Sequence, residues 1–509
     1  MAVGSTLSVG LLGLHAFMIQ SQAFVSSGLP YFSIIGLPDA SLAEARERVR
    51  SACQAAGIAW PQGRVTVNLS PASVPKHGSS HDLAIAASVL AACRAIPAAP
   101  LHNTVVLGEL NLDGSVLPVQ GVLPILLYAK RQGCATVVLP RGNMDEAALV
   151  PDLHAVPVDH VGELVERLGG QTSNEWKALR RLDLATSPRP AGPAPAPGDM
   201  SEVMGQEQAK RAMAIAAAGG HHMLMVGPPG TGKTMLAQRM PSIMCPLTEA
   251  QQLEVASIRS LCGNLASYGI SDVPPFEAPH HTATAVALVG GGSGVAQPGL
   301  VTKAHHGVLF LDEATEFAPR ALQTLREPLE SGHVTLSRSK TTTTFPARFQ
   351  LVMASNPCPC GYGYGSGERC TCRERDRIRY FSHLSGPILD RIDIQIDVLP
   401  VQDLHAARQS GATSSQLREQ VVRARRKAQR RFREQQWTCN AQASGQWLRE
   451  HTPSAALNVM DQALSVHMVS LRGAHRAMRI SWTLADLDGA GAPSADHVRQ
   501  ALMLRTKVS

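Results

Sequence analysis

Apolar positions along this chain recur with two different periods, and the alternation of those periods organises its first third. Residues 64–69 (RVTVNL) and 135–139 (ATVVL) place apolar, largely β-branched side chains in short runs, which predicts strands. Residues 41–56 and 81–92 carry apolar and small residues at helical spacing, which predicts helices between such strands. An independent α/β domain over residues 1–184 follows from the pattern. Residues 1–38 contain no Asp, Glu, Lys or Arg, but no basic segment precedes their apolar runs and glycines interrupt them. They read as buried strands rather than as a leader peptide. The longest apolar helical run, 83–93, is far below the roughly 20 residues needed to cross a bilayer, so a cytoplasmic chain with no membrane partner is expected.

The pattern breaks at residues 186–199, TSPRPAGPAPAPGD, whose five prolines exclude a helix or a central strand. This is a semi-rigid linker, placed at 185–199. A second α/β domain is expected over 200–399, and residues 400–509 read as helices. Charge is uneven: Lys plus Arg against Asp plus Glu is 13 to 14 over residues 1–184 but 16 to 8 over 400–509. Eight basic residues fall within 418–433, a helix-compatible stretch that could neutralise phosphates, pair with acids of a neighbouring subunit or face solvent.

Chemistry concentrates in the second domain. Gly227, Pro228, Pro229, Gly230, Thr231, Gly232, Lys233 and Thr234 spell GPPGTGKT, the GxxxxGK[ST] loop whose backbone N–H groups surround a polyanion at a helix N-terminus. Lys233 would reach the β- and γ-phosphates of ATP and Thr234 would give its hydroxyl to Mg²⁺. The apolar run VLFL then ends at Asp312, which would hold the ion's water shell, and Glu313, which would polarise the attacking water. LVMASN is a second apolar strand ending in an amide, Asn356, suited to positioning that water or merely to capping the strand. GPILDRIDI offers Arg391 between two aspartates, as an arginine finger for an adjacent subunit or as a salt bridge. LRGAHRAMR places Arg472, Arg476 and Arg479 on one helix, with Arg472 expected at the nucleotide of its own subunit.

Ten cysteines without a secretory signal point to a reducing compartment. Four of them, Cys358, Cys360, Cys370 and Cys372, form CPC and CTC separated by turn residues, a candidate tetrahedral thiolate site for Zn²⁺. The C-x-C spacing is tighter than the usual C-x₂-C, and free thiols in a turn-rich insertion are the alternative.

In this order, GQEQ at Gly205, the phosphate loop, the DE pair, the strand-end Asn, Arg391 and the helical arginine resemble an AAA+ ATPase. The segments APHHTATAVALVGGG, SNPCPCGYG and SGPILDRIDI resemble its magnesium-chelatase-like branch. GLPYFSIIGLPDASLAEARERVRSA, RVTVNLSPASVPK and the closing arginine-rich helix extend the resemblance, over nearly the whole chain, to the ComM (YifB) family. That resemblance implies a homohexameric ring with ATP and Mg²⁺ at subunit interfaces, acting as a DNA helicase that drives branch migration on recombination intermediates in natural transformation. It also implies that residues 332–349 form a hairpin whose tip, with Arg338 and Lys340, contacts DNA in the ring's pore. Arms of about six residues would project roughly 20 Å. The loop 290–299, GGGSGVAQPG, resembles a second pore insertion. The alternatives are the ATPase subunit of a metal-chelatase-type complex and a remodeller of a protein client.

PKHGSSHDL and GELNLDGSVLPVQGVL in the first domain resemble the Lon-type peptidase fold. The resemblance puts Ser80 at the nucleophile position and Leu123 where the family has its lysine base. Without a base the hydroxyl is inert, and a non-catalytic Lon-like domain is expected.

Overall fold

The computed structural model describes residues 2–36, 39–74, 76, 78–173, 176–177, 197–292, 296–337, 342–365, 367–384, 386–401 and 411–505. The expected boundary at 184/185 and most of the proline-rich linker lie outside them.

The N-terminal domain is built on a seven-stranded sheet. Its strands are β1 (Ala2–Leu12), β2 (His15–Ser26), β3 (Tyr31–Ile35), β4 (Arg64–Ser70), β5 (Thr104–Val106), β8 (Thr136–Pro140) and β9 (His154–Val158), in the order β3-β4-β2-β1-β5-β8-β9. A two-residue ladder, β6 (Glu109–Leu110) with β7 (Val116–Leu117), lies apart. The uncharged first segment forms the long antiparallel pair β1–β2, from Ala2↔Val25 to Leu12↔His15. Helices α1 (Asp39–Ala55) and α2 (Asp82–Ala92) supply Val49, Leu83 and Val89 to the core on one face. Helix α3 (Val122–Arg131) covers the other with Val122, Leu123 and Leu126. Every residue of α2 is buried, which is why its sequence is apolar all round rather than striped.

The second domain carries five parallel strands: β10 (Met223–Val226), β11 (Phe276–Glu277), β14 (Val308–Leu311), β17 (Gln350–Ser355) and β18 (Ile394–Asp397). Their order is β11-β14-β17-β10-β18. β10 and β14 are apolar throughout, and β17 is apolar between Gln350 and Ser355, because helices bury both faces. A short ladder, β12 (Gly290–Gly291) with β13 (Gln297–Pro298), follows the helix Ala285–Val289, and β15 (His333–Ser337) pairs with β16 (Thr342–Pro346) as the expected hairpin. Its tip, including Arg338 and Lys340, lies outside the described residues.

The C-terminal helices Ser414–Arg431, Leu471–Leu487 and Ala495–Met503 do not form a separate core. Val421, Ile480 and Val498 share one apolar cluster with Met213, Met225 and Phe310 of the second domain. Arg431 ties two of these C-terminal helices to each other, pairing with Asp486 while its guanidinium lies 4.3 Å from the Trp482 ring centroid. The N-terminal domain meets the second domain at several places among the described residues. Helix α3 packs on Glu249–Leu261, where Ser260 bonds to Glu146 and accepts the Leu123 N–H at 3.2 Å. The β1–β2 turn lies on β16, so close that a Cβ on Gly13 would fall 2.9 Å from the Thr344 carbonyl oxygen. Among the described residues no helix is long and apolar enough to cross a membrane.

Candidate ATP site and its opposite edge

The carboxyl ends of β10, β14 and β17 collect the expected nucleotide residues. The phosphate loop leaves β10 and opens the helix Lys233–Ile243, with Gly230 and Gly232 at φ of 78° and 88°. Neither glycine has an atom within 4 Å of where a Cβ would stand, so the left-handed backbone rather than crowding is what calls for glycine at both positions. Lys233 Nζ donates to the carbonyls of Gly227 and Pro228 at 2.7 and 2.9 Å and approaches Asn356 Oδ1 at 3.4 Å. Burial lowers the lysine's pKa, with Asp312 and Glu313 opposing the shift. Thr234 Oγ1 donates to Asp312 Oδ2 at 2.6 Å, bringing together the two groups expected to hold Mg²⁺. The donor set fits ATP and Mg²⁺: a hydroxyl and a carboxylate at a helix N-terminus, beside an amine held by weaker neutral partners.

Sequence reasoning missed two residues here. His281, two residues past the helix-breaking Pro279, sets its Nδ1 3.1 Å from Glu313 Oε2. Gln206, held at φ 59°, donates to the carbonyls of Thr231 and Leu399 and so anchors the phosphate loop. The paired histidines and the GQEQ segment were visible as motif text, but neither spacing nor composition reveals whom a side chain meets.

The arginines lie elsewhere. Arg391 precedes β18 and pairs with Glu330, and Arg472 stands 3.5 Å from Asp390 on an exposed helix end. Both line a cavity of about 1200 Å³ at the amino ends of the strands, with Glu330, Asp390, Arg476 and Arg479. No phosphate-loop residue lines it. Four-residue strands separate the two edges by about 13 Å. The expected contact of Arg472 with the nucleotide of its own subunit is therefore corrected: with Arg391, it sits on the edge remote from its own phosphate loop. Arg476 is structural, its Nη1 bonded to Asp393 Oδ1 at 2.6 Å and to the Arg391 carbonyl at 2.8 Å. Burial disfavours charge on Asp393, but the hydrogen bond from His221 and the charges of His221 and Arg476 outweigh it and hold the carboxyl below its usual range.

The four cysteines converge. Sγ–Sγ distances are 3.3 Å for Cys358–Cys360 and 3.7 Å for Cys358–Cys370 and Cys360–Cys370, and all four sulfurs including Cys372 lie within 4.8 Å of one another. Tetrahedral Zn²⁺ with bonds of about 2.3 Å sets sulfurs about 3.8 Å apart, so the cluster has the dimensions of such a site. The Gly363 N–H donates to Cys358 Sγ at 3.1 Å, the kind of bond that supports a thiolate ligand. The loop also rests on the phosphate loop: a Cβ on Gly361 would fall 2.7 Å from Pro229 Cδ.

In the N-terminal domain Leu123 is fully buried, its N–H held by Glu146 Oε2 at 2.9 Å. The position that would carry a base beside Ser80 is committed to packing. The nearby Lys76 has its amine on the carbonyls of Pro71 and Val74.

Three family models match successive parts of the chain. Residues 199–406 match the family model described as magnesium chelatase, subunit ChlI; residues 22–143 match subunit ChlI of Mg-chelatase, and residues 411–505 the C-terminal part of subunit ChlI. The chain is 44% identical over 508 residues to an uncharacterized protein of Mycobacterium tuberculosis, covering 99% of each. It is 37% identical over 514 residues to the competence protein ComM of Haemophilus influenzae, covering 100% of this chain and 98% of that one. A shorter match, 30% over 173 residues, relates 33% of the chain to 31% of Lon protease 2 of Bacillus subtilis.

Proposed function

The chain belongs to the ComM family of magnesium-chelatase-like AAA+ ATPases, and from that membership we propose that it is an ATP-driven DNA motor working as a homohexameric ring. Its task in this reading is helicase action and branch migration on recombination intermediates as incoming single strands are integrated in natural transformation. The supporting relative is the Haemophilus influenzae protein, whose name is that of a competence protein.

The observation that carries the reading is the separation of the two edges. Lys233, Thr234, Asp312, Glu313 and Asn356 stand at the carboxyl edge, and Arg391 and Arg472 at the amino edge with no phosphate-loop residue beside them. A γ-phosphate bound by one copy is completed by arginines of the next, and repetition of that head-to-tail contact closes a ring. ATP and Mg²⁺ are the cofactors of the family; Zn²⁺ on Cys358, Cys360, Cys370 and Cys372 is proposed in addition, as a clamp on the phosphate loop through Gly361 and Pro229. Asp312 and Thr234 would hold Mg²⁺, Glu313 and Asn356 would position the water, and Arg338 and Lys340, between β15 and β16 in sequence, are the proposed DNA contacts.

The test is the ATPase rate of purified protein with and without single-stranded, duplex and four-way-junction DNA, with Glu313→Gln as the blank. Stimulation that disappears on neutralising Arg338 and Lys340 together supports the motor. A rate indifferent to every DNA overturns it and favours a metal-chelatase-type assembly or a protein client.

A further inference from the structure

We propose that the N-terminal domain carries its own docking site for single-stranded DNA, in the cavity between helix α1, the start of β3 and residues 60–63; the identity of the ligand rests on the DNA-motor reading. The cavity has a volume of about 290 Å³ and its walls include Tyr31, Phe32, Arg46, Arg50, Trp60 and Gln62. Only 4% of the chain is aromatic, yet three aromatic rings meet at this one small opening. Phe32 and Trp60 pack with ring centroids 5.1 Å apart, and Tyr31 is 53% exposed. Exposed aromatic surface beside Leu29 at 88% and Ile35 at 53% is unfavourable in water unless something covers it.

The charge around these rings identifies what does. Arg64 lies 5.6 Å from the Tyr31 ring centroid. Arg46 and Arg50 stand one helical turn apart on α1, and Arg46 Nη1 donates to the Phe32 carbonyl at 3.5 Å. Among the described residues neither Arg50 nor Arg64 has a carboxylate partner, and Glu47 is the single acid on the cavity wall. Three guanidinium groups around flat apolar faces suit a ligand that alternates planar rings with anionic phosphates. The cavity is at the small end of the ligand-pocket range of about 300–1,000 Å³, room for a base and its sugar and too narrow for a duplex. Stacking requires the base to be unpaired, which selects a single strand. The walls offer few fixed donors and acceptors, so binding is expected to tolerate any sequence. The site lies on the edge strand of the sheet, β3, and gives the N-terminal domain a hold on the strand separate from the hairpin.

The test uses the full-length protein without nucleotide, carrying Arg338→Ala and Lys340→Ala so that the hairpin does not mask the site, and a fluorescent 20-mer of thymidine followed by anisotropy. Tyr31→Ala combined with Arg50→Ala, both at exposed positions, is expected to weaken binding at least tenfold with an unchanged melting curve. Its salt slope should fall by about 0.7, the share of one phosphate that Arg50 no longer neutralises. Trp60→Phe should retain binding within about threefold where Trp60→Leu does not, and ultraviolet cross-linking should place the oligonucleotide on Tyr31 or Trp60. Unchanged affinity and slope in the double variant, or displacement of the oligonucleotide by a proline-rich decapeptide at this cavity, overturns the proposal. If the oligonucleotide binds here but no DNA stimulates hydrolysis, the motor reading falls and this site stands; if stimulation is intact and the double variant binds normally, the reverse holds.

Discussion

The imidazole of His281 holds the carboxylate of Glu313, with Nδ1 3.1 Å from Oε2. Glu313 is also set at φ 50°, a left-handed conformation, and its N–H donates to Asp312 Oδ1 at 2.9 Å. The residue that would polarise water is thus pinned sideways by a neighbour from the adjoining strand connection. Replacing His281 by Ala is expected to raise DNA-free ATP hydrolysis several-fold and to shrink the ratio of stimulated to basal rate. A basal rate that falls about tenfold would instead make His281 a direct participant in the chemistry.

The two-edge arrangement predicts complementation between defective chains. Lys233→Ala and Arg391→Ala should each lose at least about 99% of hydrolysis alone, because one lacks the phosphate ligand and the other the finger. Mixed and allowed to reassemble, they should regain activity at about a quarter of interfaces, those joining an intact phosphate loop to an intact arginine. No recovery on mixing, with both variants forming rings by light scattering, would show that Arg391 serves its own subunit.

The four-cysteine cluster predicts about one equivalent of Zn²⁺ per chain by metal analysis, abolished by Cys358→Ser with Cys370→Ser. Because Gly361 rests on Pro229, stripping the metal should raise the KM for ATP by severalfold more than it lowers kcat. Less than about 0.2 equivalents in protein purified without chelator would remove the site.

Acid sensitivity has a definite sign. His81 and His222 are each pushed down to about 4, chiefly by burial, and His306 likewise, by burial and then by the charge of His305. The unfolded imidazoles take up protons near pH 6.5, so the stability they support is complete above that value and is lost as pH falls toward 4. Burial raises Asp82 and Asp397 to about 6, and their contribution runs the opposite way, present at low pH and lost as pH rises toward 6. The histidine share is therefore read by difference: His81→Gln should reduce proton uptake on unfolding at pH 5 by about one. An unchanged slope of stability against pH would place His81 in contact with water.

The contact of the β1–β2 turn with β16 predicts coupling between the domains. Gly13→Val would drive a branched side chain into the Thr344 carbonyl from a φ of 64° that valine rarely adopts. ATP affinity should be retained while stimulation by DNA falls at least threefold. Full stimulation in this variant would show that the hairpin works independently of the first domain.

Much of the fold was legible because burial leaves a periodic trace. Residues 64–69 became β4 (Arg64–Ser70) and 135–139 became β8 (Thr136–Pro140), each within one residue of expectation. The phosphate loop was legible for a different reason: its glycines are required by backbone conformation, so the text of the loop is also its geometry. Asn356 was readable as a strand end, and its place beside Lys233 follows from the order in which β17 and β10 pair. Arg472 was not readable. A helix position fixes which residues share a face, but only the packing of the C-terminal helices on the second domain fixes which end of the sheet that face meets. His281, bonded across the site to Glu313, leaves no periodic trace at all.

The proline-rich junction suggests two modules that could be parted by a cut, yet the surface between them says otherwise. Leu123, Ala256 and Leu265 belong to a single apolar cluster, and Ser260 meets Glu146 across the seam. A shortened protein beginning after the linker would turn that cluster out to water and leave Ser260 without its acid. It should behave as an adhesive fragment rather than as a freestanding engine, so the two halves of this chain are modular in descent but not in use.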